Sequence, residues 1–443
     1  MYSEGKVVDS RLKTLDYSSI ALWFSTGFFL GNRHFYSNRG HKLSELGPNI
    51  EWFHSPRNIT FNQALDEFTH LFEYVIQSKV KGRKIILPLS GGLDSRTIAA
   101  ALSKINVKPI VISYEFEGGI KETEYAKKIA DIFDWKFKPF TIPKGYLWNK
   151  LNEISLINNC LIDFTHSRQM AVIDEISQYG DLLLSGQWGD VLFDSPGIES
   201  NASIENQVRF IIKKIVKPGG LELGSEIWKY WNIPGEFEAE LYKEIKKHLS
   251  EIKIGNSSSR VRAFKSKHWA NRWANEGLKI FTSRNEMLIP YYDDKICEFV
   301  CTVPEKFLSN RKIQIEYIKR ISKPLAKVSW QKYDMDLYNY KYFSSIYLPL
   351  RIGRYIKRIV KEKIINVRPI IERNWELQFL GEENEVHLKK WLFDNPQLNK
   401  IVPARIVEEF FRKFKYENKI KYSHSIGMLL SLSVWSKNFW GKK

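Results

Sequence analysis

A short segment, Ser90-Gly91-Gly92-Leu93-Asp94-Ser95, has the residue types that bind a phosphate group. Its glycines let backbone N–H groups turn toward an anion, and its serines can donate hydrogen bonds to phosphate oxygens. Asp94 would repel phosphate unless a cation lay between them, which indicates Mg²⁺. The segment lacks the Walker A ending and the dinucleotide-binding glycine spacing. The alternative is a plain strand-to-helix turn, in which Asp94 and Ser95 only cap a helix.

Alternating strands and helices are predicted around this segment. Apolar runs predict strands at 85–89, 109–116, 137–142 and 181–185, and helical periodicity predicts helices at 60–80, 96–102, 122–133 and 168–179. The order indicates an α/β fold with a parallel sheet covered by helices. A second glycine-bearing segment, Gly186-Gln187-Trp188-Gly189-Asp190, follows the fourth strand. Ligands bind at the carboxyl ends of parallel strands, so both segments should face one crevice.

The chain beyond residue 200 is predicted to be mainly helical. Strand signals fade there, and helical periods dominate at 205–216, 237–252, 258–281, 311–321 and 387–440. The net charge of the chain is +18, and the basic excess lies in this half. Its densest run spans residues 351–363, either as a solvated helix face or as a site for an anionic partner.

Only three cysteines occur among the 443 residues, which argues against a secreted disulfide framework. We expect Cys297 and Cys301 to be buried helix residues rather than metal ligands, because no other ligand type lies near them. The N-terminal sequence has no signal-peptide pattern, and the apolar stretch at 18–31 is too short to span a bilayer. The sequence therefore predicts a cytoplasmic protein without a membrane span.

The first segment resembles the pyrophosphate loop of the N-type ATP pyrophosphatases, and further motifs narrow the likeness to their asparagine synthetase-like branch. Residues 181–193 resemble that family's second loop, Ser-Gly-Glu-Gly-x-Asp-Glu-Leu-Phe. Residues 286–293 are similar to its Glu-x-Arg-x-Pro-Phe-Leu-Asp, and residues 312–332 follow the pattern that ends near a Trp and a catalytic Lys. The resemblance covers roughly residues 17–335.

The resemblance implies an α/β fold of the adenine nucleotide α-hydrolase (PP-loop) type with a large helical C-terminal part. It divides the chain into the tail of a glutaminase domain (1–60), an ATP-binding core (61–200) and a helical part that completes the synthetase domain (201–443). It also implies ATP and Mg²⁺ as cofactors. The implied activity is an AMP-forming amide ligase, in which ATP adenylates a carboxylate and ammonia or an amine then displaces AMP.

The same resemblance assigns roles to individual residues. Ser90, Gly91, Gly92 and Ser95 would hold the pyrophosphate, Tyr114 and Gly186 would contact the nucleotide, and Asp94 and Asp190 would bind Mg²⁺. Lys332 matches the lysine that stabilises charge during adenylate formation; without the motif it would be a plain surface lysine. Glu286 and Gln187 complete the catalytic set, although Glu286 could equally belong to a buried structural ion pair.

Several positions depart from the family pattern. Gln187 replaces Glu or Tyr and cannot act as a base, although it can hydrogen-bond an acyl or phosphate oxygen. Val191 replaces a Glu, Arg96 a common Ser, and Tyr2 the nucleophilic Cys of the glutaminase domain. We therefore expect the nitrogen to come from free ammonia, an amine or a separate glutaminase. The acid substrate is expected to be a small-molecule or glycan carboxylate.

Two other functions remain open at this stage. A tRNA-modifying PP-loop enzyme would share the first loop and could use the basic half, but no cysteine pair for sulfur transfer is present and nucleic acid is an unlikely partner. A degenerate, non-catalytic synthetase subunit would explain Gln187, Val191 and the missing glutaminase.

Overall fold

The computed structural model describes residues 15–37, 46–343 and 371–440. Tyr2 and the basic run at 351–363 lie outside these ranges, as does part of the predicted unit 1–60. Within them, one parallel sheet has the strand order β3-β2-β1-β4-β5. Its strands are β1 (Ile85–Pro88), β2 (Ile110–Phe116), β3 (Phe137–Ile142), β4 (Leu182–Leu184) and β5 (Glu286–Leu288).

Strand register places all carboxyl ends at one end of the sheet. Ile86 aligns with Ile110 of β2 and with Leu183 of β4, and Leu182 aligns with Glu286 of β5. The central strand β1 therefore lies between β2 and β4, where the strand order reverses. Ligands of open parallel sheets bind at such a point, outside the carboxyl ends of the strands. The predicted α/β fold with a parallel sheet is confirmed.

The central strands form because their residues are apolar on both faces. Ile86, Leu87 and Leu183 are completely buried, as expected for a sheet covered on both sides. Four strands were predicted. The fifth, β5, was not, because it lies in the half that the sequence predicts to be mainly helical. The sheet thus extends beyond the predicted unit 61–200.

Twenty-one α-helices accompany the sheet in the described part of the chain. They are α1 (Tyr17–Thr26), α2 (Phe61–Val80), α3 (Leu93–Lys104), α4 (Glu122–Ile132), α5 (Tyr146–Asn158), α6 (Ile173–Ile176), α7 (Gly189–Leu192), α8 (Ile204–Ile215), α9 (Pro218–Tyr230), α10 (Phe237–Ser250), α11 (Ser257–Phe264), α12 (Asn275–Thr282), α13 (Asp294–Thr302), α14 (Glu305–Leu308), α15 (Lys312–Ile321), α16 (Lys323–Lys327), α17 (Asn374–Phe379), α18 (Glu382–Phe393), α19 (Pro396–Ile401), α20 (Ala404–Arg412) and α21 (Lys419–Asn438). π-Helical segments span Lys265–Ala274 and Lys413–Glu417.

Several predicted helices differ from the observed ones. The helix predicted at 168–179 is instead a series of short turns around α6, in which Met170, Ile173 and Ile176 are buried. Their three-residue spacing suits 3₁₀ geometry as well as α-helix, which explains the error. The region 387–440 contains several helices instead of one long one, and α5 and α9 were not predicted.

Helices of the C-terminal half pack directly on helices of the N-terminal half. Helix α15 packs against α3 and α2, and α9 packs against α1 and α21. The three cysteines are free and buried, as expected for Cys297 and Cys301. None of the helices in the described ranges is long and apolar enough to cross a membrane.

Candidate active site

The two glycine-bearing segments meet at the carboxyl ends of β1 and β4. A Cβ atom on Gly186 would lie 2.7 Å from the backbone nitrogen of Ser95, and one on Gly189 would collide with the Asp94 carboxyl group and the Tyr291 ring. Real Cβ contacts are never this short, so only glycine lets the loops approach this closely. The glycines of the second segment therefore position it against the first.

The first segment leaves its backbone donors available at the start of α3. Helix α3 begins at Leu93, and its N-cap residue Gly92 has no side chain to accept a hydrogen bond from the first turn. The alternative in which Asp94 and Ser95 cap the helix is thus wrong. The Ser95 hydroxyl instead accepts from the Ser90 backbone N–H at 3.3 Å, which closes the loop on itself. Free N–H groups at a helix N-terminus attract an anion.

Arg96 anchors this loop from behind. The sequence marked it only as a departure, but its fully buried guanidinium donates to the carbonyl oxygens of Val328 at 2.7 Å and Ser329 at 2.8 Å. It also lies 3.4 Å from the Gly91 carbonyl oxygen. Arg96 therefore connects the candidate phosphate-binding loop, residues 90–95, to residues 328–331.

A cavity of about 520 Å³ opens where the loops meet, and we call it the first cavity. Most residues predicted to bind nucleotide or metal, as well as Gln187, line it. They are Ser90, Gly92, Asp94, Ser95, Tyr114, Gly186, Gln187 and Asp190. Gly91 lies in the same loop but faces residue 331: a Cβ atom there would lie 2.6 Å from Cβ of Gln331. The structure thus brings together residues that are about 100 positions apart in sequence.

Asp94 is held by charged and polar groups from α15 and from the turn before it. Arg311 forms an ion pair with its carboxylate, and Gln314 donates to Oδ1 at 3.0 Å. The Tyr291 hydroxyl donates to the Asp94 carbonyl oxygen at 3.1 Å. Burial, opposed by Arg311 and reinforced by the charge of Asp190, raises the pKa of Asp94 to about 6. Asp94 is therefore occupied by protein contacts.

The predicted Mg²⁺ site fits this arrangement only at Asp190. Its carboxylate is open to the first cavity and forms no ion pair with any described residue. Asp94, in contrast, cannot offer Oδ1 to a metal while Arg311 and Gln314 bind it. No group of three His, Cys, Asp or Glu in the described ranges could hold a metal ion. Of the two predicted Mg²⁺ ligands, Asp190 is therefore the more open, whereas Asp94 has its Oδ1 engaged by the protein.

Lys332 does not line the first cavity. Its ammonium group lies over the rings of Trp330 and Tyr333, at 5.7 and 5.3 Å from their centroids, and the residue is exposed. Its neighbour Gln331 contacts the loop directly, because the backbone N–H of Gln331 donates to the Gly91 carbonyl at 3.1 Å. The structure thus places the backbone of Lys332 beside the loop and its side chain outside.

Glu286 lies at the wrong end of the sheet for the predicted catalytic role. It begins β5 and aligns with Leu182 at the amino end of β4. Its carboxylate is 66% exposed and accepts from Arg83 at 2.8 Å, and the same arginine pairs with Asp181 at 2.6 Å. The ion-pair interpretation is correct, but the pair is exposed rather than buried, and Glu286 does not join the other site residues.

Several residues at the cavity were not predicted from the sequence. Arg168 lines it, with its guanidinium over the rings of Tyr114 and Phe116 at 5.5 and 5.6 Å, and no described carboxylate pairs with it. His166 also lines it, edge-on to Trp273. Arg168 lies in a region that was predicted as one helix, and His166 lies outside every predicted element. Hydrophobic periodicity therefore could not have placed either residue at the cavity.

Trp188 stands where the family's second loop has its second glycine. Its backbone keeps a left-handed conformation, φ 75°, which glycine adopts easily and a bulky residue rarely does. The indole compensates by packing in the cavity wall, where its N–H donates to the Ser266 hydroxyl at 3.0 Å. The departure from glycine therefore links the second loop to the π-helix Lys265–Ala274.

Comparison with known proteins agrees with this geometry. Residues 71–278 match the family model described as asparagine synthase. This segment is an asparagine synthase domain. It spans a little less than half of the chain and contains the two loops and most of the residues that line the first cavity.

Other comparisons add little to the asparagine synthase domain. No curated protein matches the sequence significantly. Among solved structures, an NMN synthetase from Francisella tularensis matches with 9% identity, over 47% of this chain and 94% of its own. The TM-score is 0.25, too low to bear on the fold or the function.

Proposed function

We propose that this protein is an ATP-dependent, AMP-forming ligase that adenylates a carboxylate and then transfers ammonia or an amine to it. The observation that carries the proposal is the close packing of Gly186 and Gly189 on Asp94 and Ser95, which closes two loops around a cavity of about 520 Å³. The asparagine synthase domain at residues 71–278 supports the same class of reaction.

The proposed reaction needs positioning and charge stabilisation more than covalent help from the protein. The substrate carboxylate attacks the α-phosphorus of ATP, pyrophosphate leaves, and the nitrogen nucleophile then displaces AMP. Backbone N–H groups at the start of α3 and the hydroxyls of Ser90 and Ser95 would bind the pyrophosphate. Gln187, half-buried in the cavity wall, would donate to an acyl or phosphate oxygen.

The far side of the first cavity would receive the acid substrate. Arg168 supplies a positive charge there, with Glu122 nearby, and Trp273, Leu278 and Phe281 add apolar surface. An acid with an apolar or ring-bearing body would therefore place that body against these apolar side chains, and Arg168 would attract an anionic group of the substrate.

Lys332 is kept in the proposal as the charge-stabilising lysine on the strength of its motif and its position next to Gln331. Its side chain would have to leave Trp330 and Tyr333 to reach the pyrophosphate. Glu286 is removed from the proposed catalytic set, because its carboxylate lies at the amino end of the sheet.

The test is carboxylate-dependent release of AMP and pyrophosphate from ATP, with ammonium and a pool of acids. Asp190→Asn removes the open carboxylate of the first cavity, and Asp181→Asn removes an exposed carboxylate at the opposite end of the sheet as a matched control. We expect AMP release by wild type and Asp181→Asn, and a loss of about 100-fold in Asp190→Asn. Equal rates in both variants would contradict the proposed site.

A non-catalytic nucleotide-binding subunit is the second candidate, and the ion pair of Arg311 with Asp94 favours it. That pair occupies a carboxylate which the family's pattern leaves for metal. ATP binding without acid-dependent AMP release, in every acid fraction and with every nitrogen donor tried, would support this second function. No such observation favours tRNA modification, because all three cysteines are buried and none lines the first cavity.

A further inference from the structure

A second cavity, of about 560 Å³, lies apart from the two loops. Its walls come from the segment that follows α1 (residues 31–37), from α10 and from the π-helix Lys265–Ala274. Three histidines, four basic residues and three acidic residues line it.

The acidic residues of this cavity already have partners. Asp16 caps α1 and accepts from the Ser19 backbone N–H at 2.9 Å. Glu244 accepts from Arg33 at 2.8 Å and lies 3.0 Å from Nε2 of His248. Burial alone would raise the pKa of Glu244, but its hydrogen bonds with His248 and Arg33 hold that pKa well below its usual range. These carboxylates are thus neutralised within the protein.

His248 also engages the third carboxylate. Its Nδ1 lies 3.3 Å from Glu251 while its Nε2 faces Glu244, so a ring protonated on both nitrogens would donate to both. Gly31 lets the segment that follows α1 approach the His248 ring, because a Cβ atom on Gly31 would lie 2.6 Å from that ring. The network is therefore packed and specific.

The cavity's lysines, in contrast, lack such partners. Lys247 on α10 and Lys267 on the π-helix line the cavity, are exposed, and form no ion pair with any described residue. Arg272 adds a third positive charge to the same wall and donates to Asn32 at 3.3 Å. Lys247 and Lys267 therefore bring positive charges to the cavity that no described carboxylate pairs with.

His268 supplies an independent observation in the same wall. The residue is 8% exposed, and its Nε2 is buried without a hydrogen-bond partner. Burial, followed by the charges of His248, Lys267 and Arg272, lowers the pKa of His268 to about 3. An unsatisfied buried polar atom costs stability unless a ligand atom or ordered water reaches it.

The wall that holds these groups also borders the first cavity. Trp273 and Ala274, at the end of the π-helix, line the first cavity, whereas Lys267, His268 and Arg272 line the second. π-Helical segments are rare and frequently mark functional sites. The π geometry here presents one short segment to two cavities.

We propose that the second cavity is a binding site for a small oxyanion, a metabolite bearing phosphate or carboxylate groups, which Lys247, Lys267 and Arg272 hold. The site is separate from the proposed ligase chemistry, and its test requires no turnover.

The test is calorimetric titration of the full chain with inorganic phosphate and, separately, with citrate, at constant ionic strength. The double variant Lys247→Gln/Lys267→Gln removes two cavity charges, and Lys213→Gln/Lys243→Gln removes two surface charges outside it. We expect saturable binding that weakens about tenfold or more in the first variant and is unchanged in the second, because only the first variant loses two charged hydrogen-bond donors of the cavity. Tighter binding of phosphate or of citrate identifies the class of metabolite.

The loop at Ser90–Ser95 can also bind phosphate, and the pair of variants separates the two sites. Binding at that loop would be equal in both double variants, so only the difference between them reports on the second cavity. Equal affinities in wild type and both variants, or heats that never saturate, would overturn the proposal. Unchanged melting temperatures of the variants would exclude misfolding as the cause of a loss.

Discussion

The two ends of the same sheet use charge in opposite ways. At the amino end, Arg83 pairs with Asp181 and Glu286 at the surface, where 52% and 66% of the two acidic side chains are exposed. At the carboxyl end, Asp94 and Arg311 pair under cover, with 23% and 9% of their side chains exposed, and glycines press a second loop against them. Exposed pairs contribute little to stability, whereas breaking a covered pair leaves a stranded charge. Position along the strands therefore separates structural from functional acids better than residue type does.

The largest expected effect comes from adding one methyl group at the carboxyl end. Gly189→Ala would push its Cβ into Asp94 and Tyr291, which we expect to cost about 3 kcal/mol and to abolish nucleotide binding. Urea denaturation and ATP titration would measure the two effects.

Gly277→Ala is the matched control for that substitution. Gly277 also lines the first cavity, but it lies in α12 and a Cβ there would make only an ordinary contact with Ile162 at 3.8 Å. We expect this variant to retain ATP binding and to gain up to about 1 kcal/mol of stability. Equal losses of stability and of ATP binding in both variants would show that the close contact at Gly189 is not specifically required.

Removing the charge of Arg311 should have the next largest effect. Arg311→Gln leaves the Asp94 carboxylate near Asp190 without its cation, and burial already raises the pKa of Asp94 to about 6. We expect a loss of about 2 kcal/mol in the free energy of unfolding at pH 7, less than for a fully buried pair because Asp94 is partly exposed. A double variant with Asp94→Asn should recover part of this loss, and no recovery would argue against coupling.

Asp163, behind the first cavity, should make stability depend on pH. Burial raises its pKa to about 6, against hydrogen bonds from Thr165. The folded protein thus keeps this proton to about pH 6 while the unfolded chain loses it near pH 4, so stability falls as the pH rises between those values.

Asp163→Asn removes the free-energy cost of ionising this buried carboxyl group. The variant therefore provides a direct test of the pH dependence. We expect the variant to be about 1–2 kcal/mol more stable than wild type above pH 6 and equal to it below pH 4. Asp94 titrates in the same range but is present in both proteins, so the difference isolates Asp163. A difference that does not change with pH would refute the assignment.

The smallest effect is expected at the amino end of the sheet. Glu286→Gln removes one exposed ion pair with Arg83, so the free energy of unfolding should change by no more than about 0.5 kcal/mol. ATP binding should not change at all. A strong loss of ATP binding would mean that Glu286 belongs to the active site after all. It would then contradict the functional distinction between the amino and carboxyl ends of the sheet.

The sequence predicted the parts of the site that depend on local pattern. Apolar runs located four strands, and the rule for carboxyl ends correctly brought residues 90–95 and 186–190 together. Strand β5 escaped because Glu286–Leu288 is only three residues long and begins with a charge. Local pattern therefore suffices for the sheet centre and fails at its margin.

Features that depend on long-range packing could not be predicted. The pair of Asp94 and Arg311 lies at a left-handed turn formed by Asn310 and Arg311, at φ 58° and 60°; asparagine favours this conformation, but arginine does not indicate it. The direction of the Lys332 side chain depends on two aromatic rings around it, and the motif gave only its position in the chain. Both features concern side-chain direction, which spacing does not encode.

The most direct test of the account is amide hydrogen exchange of the full chain with and without magnesium and ATP. We predict slower exchange in peptides that cover residues 88–96 and 185–192, at the carboxyl end of the sheet. Peptides that cover residues 81–86 and 284–288, at the amino end, should exchange at unchanged rates. Protection at the amino end, or unchanged exchange at the carboxyl end while calorimetry detects bound ATP, would contradict the assignment of the nucleotide to the two loops.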